Sequence, residues 1–225
     1  MAKAIAEKFF DIHQRLYAAY GPQHWWPAGS PFEVVVGAIL TQSAAWANVE
    51  KAIENLKAAG ILSPEGLLKV GLDELARLVY PAGYYNAKAR KLKAFLEMLF
   101  DSHGGDLDAL FDLPLPELRQ ELLASHGIGP ETADSIILYA AEKPSFVIDA
   151  YTRRVFSRLG LEPAGDSYAC WQTMFSEGLP PDVQLFNEYH ALIDRHAKTV
   201  CRKVPLCGQC CLREICQAAT GASSR

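Results

Sequence analysis

Leu122-Leu123-Ala124-Ser125-His126-Gly127-Ile128-Gly129-Pro130-Glu131-Thr132-Ala133 is a turn set between two helical stretches, Pro116 to Ser125 and Glu131 to Ala141. Two glycines enclose one apolar residue. Glycines permit positive φ and a close approach of backbone to a neighbour. Ile128 is expected to tuck between the helices and fix their angle. The amides after Gly129 then face outward at a helix N-terminus, which is a geometry that holds a phosphate oxygen. Such contacts position a protein on DNA without reading its bases. A plain helix–helix connection with a glycine cap has the same local sequence, so the meaning of the turn depends on its surroundings.

Working outward, the pattern is helical nearly throughout. Ile5, Phe9, Ile12, Leu16 and Ala19 recur at spacings of three and four, one face of a helix that Gly21 and Pro22 end. After His24-Trp25-Trp26-Pro27-Ala28-Gly29-Ser30, Pro31 can open a helix over Phe32 to Gln42. Further helices fit Ala44 to Ala59, a segment begun by Ser63 and Pro64, one capped by Asp73, Tyr85 to Ser102, Ala150 to Leu159, Ser167 to Glu177 and Val183 to Val200. No long alternating pattern marks a strand, and no repeat is present. The expected class is all-α.

Composition narrows the field. The 225 residues are half hydrophobic, and no apolar run approaches the roughly 18–20 residues of a membrane span. The start, MAKAIAEKFF, lacks the apolar core of a secretion signal, so a cytoplasmic protein without membrane contact is expected. Nothing in the sequence suggests more than a monomer. The formal net charge is −4, unusual for a chain that binds phosphates. Basic residues are nevertheless grouped: Arg153, Arg154 and Arg158 in one stretch, Arg195, Lys198, Arg202 and Lys203 in another. Such runs are ordinarily solvated helix faces.

Five of the six cysteines fall within sixteen residues. The spacing Cys201-x5-Cys207-x2-Cys210-x5-Cys216 puts four thiols on one loop, with Cys211 beside the third. In a reducing compartment a tight group of this kind is a metal site, for an iron–sulfur cluster or for zinc. Cys170 stands apart, next to Trp171, and reads as a core residue.

Four segments in one order resemble the helix-hairpin-helix DNA glycosylase superfamily of endonuclease III. Phe32 to Gln42 is similar to the family's helix ending in Leu-Thr-Gln. Ala82-Gly83-Tyr84-Tyr85-Asn86-Ala87-Lys88-Ala89 is similar to its Gly-(Leu/Phe)-Tyr-x-x-Lys-Ala loop. The hairpin is followed by Ile148-Asp149-Ala150-Tyr151-Thr152-Arg153-Arg154-Val155, similar to its Val-Asp segment and the helix after it. The cysteines close the match, with five residues in the first gap where the family usually has six. The resemblance implies a two-lobed helical fold. One lobe would be a six-helix barrel over 31–143, and the other a discontinuous lobe of 1–30 and 144–225 that carries a [4Fe-4S] loop. It also implies double-stranded DNA with a damaged base as partner, and DNA contacts from Gly127, Ile128, Gly129, Thr132, Arg153 and Lys203, with Arg202 beside the last. Cys201, Cys207, Cys210 and Cys216 would hold the cluster, zinc being the other reading.

Within that family, lyase-active members carry a lysine two residues after the second hairpin glycine, which forms a Schiff base with the sugar. This chain has Glu131 there, and a carboxylate cannot form an imine. A monofunctional glycosylase is therefore expected, with Asp149 as its catalytic group. Base excision passes through a cation-like sugar that a carboxylate can stabilise. Asp149 is also placed to cap the helix that follows it. Trp25-Trp26-Pro27, Phe32, Trp46 and Gln42 resemble the subgroup that releases 3-methyladenine, as does the hairpin with its glutamate. Stacking would hold the flipped base, an indole would attract an N-alkylated, cationic purine, and Gln42 would fill the gap left in the duplex. The other expectations are a thymine- or uracil-mismatch glycosylase, an oxidised-base glycosylase, or a non-catalytic DNA-binding module. Nothing in the pattern assigns a role to Tyr189, His190 or His196. Lys198, nearest the cysteines, could face DNA.

Overall fold

Amphipathic periodicity over nearly the whole length leaves room only for helices, and helices are what form. The computed structural model describes residues 2–221, and among these no strand occurs. In chain order the helices are α1 (Ala2–Tyr20), α2 (Pro31–Thr41), α3 (Trp46–Ala58), α4 (Pro64–Lys69), α5 (Leu72–Leu78), α6 (Tyr85–His103), α7 (Leu107–Phe111), α8 (Leu115–Ala124), α9 (Pro130–Tyr139), α10 (Ala150–Leu159), α11 (Tyr168–Gly178), α12 (Val183–Thr199) and α13 (Gln217–Gly221). They fall into two compact units, Trp26–Lys143, and Met1–Trp25 with Pro144–Arg225.

The continuous unit is built on α2, whose residues from Phe32 to Leu40 are all buried. Each large apolar side chain taken out of water there contributes roughly 1.5–3 kcal/mol. Ser30 caps the helix by accepting from the Glu33 N–H at 3.2 Å, and Pro31 supplies a pre-set first turn. Helices α3, α6 and α9 pack on α2, and α4 and α5 pack on α6. Ser63 caps α4 as its sequence suggests. Asp73 does not cap α5: Gly71 holds that position, and Asp73 and Glu74 lie in the first turn, where their charge complements the helix dipole. The short α7, capped by Asp106, has too few turns to show a period in the sequence.

In the discontinuous unit α1 packs on α11 and α12, and α10 packs on α12. Its core is aromatic. Phe175 stacks on Phe9 at 4.8 Å and on Phe146 at 4.2 Å, with Phe156 edge-on to both Phe9 and Phe175. The fully buried Tyr189 donates its hydroxyl to the Phe9 carbonyl at 2.9 Å, so burying its oxygen leaves nothing unsatisfied. Cys170 is not part of this core. It is half-buried at the start of α11, where the Ser167 hydroxyl donates to its sulfur at 3.1 Å, because Ser167 caps the helix and brings its oxygen there.

Candidate functional site

The hairpin between α8 and α9 depends on one left-handed residue. Gly127 has φ +83°, and a Cβ there would lie 2.5 Å from the Lys91 side chain. Ile128 is buried, and its N–H donates to the Ser125 carbonyl at 3.2 Å. Gly129 is extended, with open space where a side chain would be. As the N-cap of α9, Gly129 offers no capping side chain. Pro130 has no N–H, so the first-turn amides of Glu131 and Thr132 are the donors that a phosphate can use. Glu131 is exposed.

The Thr132 hydroxyl turns inward and accepts from the Gln42 amide nitrogen at 2.9 Å. The same nitrogen donates to the Gly127 carbonyl at 3.1 Å, and Lys91 donates to the Gln42 amide oxygen. Gln42 thus braces the turn from below. The two helices are clamped by Arg119 on α8 and the fully buried Asp134 on α9, through bonds of 2.9 and 3.1 Å. Neither Lys91 nor Arg119 carries a motif that would reveal its partner.

The same unit gathers three aromatic rings. Trp26 is edge-on to Trp46 at 5.1 Å and tilted to Tyr139 at 5.4 Å. Gly37 makes this seat: a Cβ there would come within 3.0 Å of the Trp26 indole. Trp46 is oriented by its indole N–H, which donates to Glu50 at 2.6 Å. The loop before α2 is held by the buried Glu33, whose carboxylate accepts from Gly29 N at 3.1 Å and pairs with Lys57 at 2.7 Å. Trp25 ends the first segment of the other unit, so the tryptophan pair divides between the two units. Pro27 is exposed. Tyr139 joins the group unforeseen, since a tyrosine on a mostly buried helix reads as core. Tyr84 is a further exposed aromatic, three-quarters accessible and at φ +46°.

Asp149 begins α10. Its Oδ1 accepts from the Thr152 N–H at 2.7 Å, and its Oδ2 lies 3.8 Å from His190 Nε2, too long for a hydrogen bond. Both side chains are mostly buried. Arg153 pairs with the carboxylate and carbonyl of Asp166 at 3.0 and 2.7 Å. Arg154 and Arg158 are not a solvated face. Arg154 donates to the carbonyls of Ala197 and Cys201, and Arg158 to those of Cys201, Arg202 and Lys203. Lys198 lies 5.5 Å over the Tyr151 ring, and Arg202 and Lys203 are exposed.

That loop carries the cysteines. Cys201 is buried, and Cys207, Cys210, Cys211 and Cys216 are half-buried. Arg158 reaches the Cys201 sulfur at 3.2 Å, and Cys216 donates to the Arg158 carbonyl at 3.3 Å. Burial pushes the Cys210 thiol up to about 11, so a metal would have to displace its proton. His196, almost fully buried, is lowered by desolvation to about 4 and is neutral at pH 7. Among the described residues no three His, Cys, Asp or Glu side chains converge as a single-ion site. No helix is long and apolar enough to cross a membrane, again among the described residues.

A glycine hairpin with an open helix N-terminus, a capping aspartate at the head of a second helix and a cysteine loop define a helix-hairpin-helix protein that acts on DNA. Residues 36–181 match the HhH-GPD superfamily of base excision DNA repair proteins, and the chain belongs to that family. It is a DNA glycosylase with an endonuclease III-like fold. The chain is 46% identical over 211 residues to a protein of Methanocaldococcus jannaschii described as a DNA repair glycosylase, covering 93% of this chain and 96% of that one. It is 29% identical to endonuclease III of Sulfolobus acidocaldarius over 83% of this chain and 81% of the other. Among solved structures, a 3-methyladenine DNA glycosylase of H. pylori bound to 1,N6-ethenoadenine superposes with TM-score 0.75 at 28% identity, covering 84% of this chain and 97% of that one. An endonuclease III–DNA complex reaches TM-score 0.83 at 22% identity over 98% and 99%, a likeness of fold.

Proposed function

We propose that the protein is a monofunctional glycosylase that releases N-alkylated purines such as 3-methyladenine from duplex DNA. The observation that carries this reading is the Trp26–Trp46–Tyr139 group. Its electron-rich rings offer a cationic base an attraction that a neutral base lacks. The purine ring of an N-alkylated nucleotide already bears positive charge, so its glycosidic bond breaks without a strong acid at the base. Asp149 then stabilises the cation-like sugar and orients the water that attacks it. Glu131 offers no amine, so the product is an abasic site on an intact strand. The 28% identity to a 3-methyladenine glycosylase supports the same substrate class.

Phosphate binding falls to the hairpin around Gly127, Ile128 and Gly129, to the Thr132 backbone amide, and to Arg153 and Lys203. Gln42 fills the vacated duplex position by exchanging its bonds to Gly127 and Thr132 for bonds to DNA. The protein works as a monomer in the cytoplasm. Cys201, Cys207, Cys210 and Cys216 hold a [4Fe-4S] cluster. Four thiolates are a soft donor set that would suit iron. When bound, the cluster ties down the loop that carries Arg202 and Lys203.

The test is base release. The purified protein is incubated with N-methylated duplex, the free bases are identified by chromatography, and the strands are checked for cleavage and for borohydride trapping. Release of 3-methyladenine with no cleavage is expected. Trp26→Leu should lower that release by about tenfold or more, as loss of a desolvated cation–π contact of roughly 2 kcal/mol implies. Excision of uracil or thymine from mismatches, with alkylated bases untouched, would overturn the assignment. Strand cleavage with trapping would overturn the monofunctional part alone.

A further inference from the structure

A half-buried tyrosine and a buried histidine of the discontinuous unit have no part in base excision. The Tyr20 hydroxyl, at the end of α1, lies 2.8 Å from His196 Nδ1 on α12. The other ring nitrogen, His196 Nε2, lies 3.6 Å from the Cys210 sulfur, a hydrogen-bond length for sulfur. His196 is almost fully buried, and the Arg195 guanidinium sits 5.3 Å over the Tyr20 ring, which holds the phenol in place. We infer that Tyr20 and His196 form a positioning relay that donates a hydrogen bond to Cys210 and thereby sets the reduction potential of the cluster. The inference rests on the reading that Cys210 ligates iron.

This direction satisfies the proton inventory. A neutral imidazole carries one N–H. Were it on Nδ1, pointing at Tyr20, the Nε2 lone pair would face a thiolate lone pair with no proton between them. If Tyr20 donates to Nδ1, the proton sits on Nε2 and points at the sulfur. Both contacts are then satisfied, which a buried polar group needs. An N–H directed at a ligating sulfur withdraws charge and favours the more negative, reduced cluster. Fixing the tautomer is the task of Tyr20, 176 residues away from its partner in the chain.

The experiment uses the whole protein purified without oxygen. Iron and sulfide content and the visible absorption establish the cluster first. The midpoint potential is then measured by voltammetry for the native protein, Tyr20→Phe, His196→Leu and His196→Gln. Loss of the relay should shift the one-electron equilibrium roughly tenfold toward the oxidised cluster, a fall of about 59 mV, in both Tyr20→Phe and His196→Leu. His196→Gln, which keeps a donor, should recover part of it. Should His196→Leu fail to load iron, Tyr20→Phe and His196→Gln decide the matter. Fully loaded variants with native potentials would overturn the relay while leaving the cluster in place. A native protein without iron and sulfide would overturn the cluster reading, and the relay with it.

Discussion

Asp149 has two tasks that a pair of substitutions can separate. As a cap, its Oδ1 accepts the Thr152 N–H at 2.7 Å, closing the first turn of α10. As the proposed catalytic group it supplies negative charge. Asn ranks with Asp as a cap, so Asp149→Asn keeps the acceptor and loses the charge. Its stability cost is confined to the dipole interaction, about 0.3–1 kcal/mol. Asp149→Ala loses the cap as well, for roughly 1 kcal/mol more. For a chain of this size each kcal/mol is about 2–4 °C of melting temperature. Thermal denaturation should therefore rank native, Asn and Ala in small, even steps. Single-turnover base release should fall in one step: about 100–1000-fold for both variants, the loss typical of removing one preorganised electrostatic group. The reasoning fails if Asp149→Asn keeps a tenth or more of native excision. It fails in its structural half if Asn melts as low as Ala.

Three further outcomes follow from charges inside the fold. Arg119→Ala removes both guanidinium bonds from the buried Asp134 and should cost about 3–5 kcal/mol, whereas the double change Arg119→Met with Asp134→Leu should be near neutral by denaturant unfolding; equal losses in the two would sink the clamp. Burial lowers Lys88 to about 8, against 10.5 when exposed, while its ammonium donates to the Ala82 carbonyl at 2.6 Å. Between those pH values the unfolded chain holds more protons, so stability should rise with pH by up to about 1.4 kcal/mol per unit, a rise that Lys88→Met abolishes; parallel stability–pH curves for the two proteins would contradict it. Cys211→Ser should keep native iron content and Cys210→Ser should lose it, and iron analysis giving the reverse would move the third ligand.

What could be read in the sequence was local. Ser30 with Pro31, Ser63 with Pro64 and Asp149 before Ala150 cap helices through bonds spanning three residues, and a cap needs only its own neighbourhood. The hairpin turn has the same character, because Gly127 is demanded by its own φ. Features that depend on register and distance could not be read. Lys91 reaches Gln42 across 49 residues, and Tyr139 meets Trp26 only once α9 is docked on α2. The arginines of α10 read as a solvated face because nothing local shows that the loop beginning at Cys201 turns its carbonyls toward them. Cys170 failed for the opposite reason: the apolar residues around it suggested a core, and a capping serine took its sulfur.

Those arginines bear on how a chain with net charge −4 holds DNA. Arg154 and Arg158 are spent on the carbonyls of the cysteine loop. Lys91 is engaged with Gln42, and Arg119 with Asp134. Much of the positive charge thus stabilises loops and helix pairs, and the full formal charge overstates what is available to phosphate. The uncapped first turn of α9 makes up part of the difference, since its amides and the helix dipole attract an anion without any ionised side chain. A site of this kind grips the backbone wherever it lies and carries no base information. On the proposed reading specificity comes from elsewhere, and the aromatic group assembled on Gly37 is a feature of the same unit chemically suited to supply it.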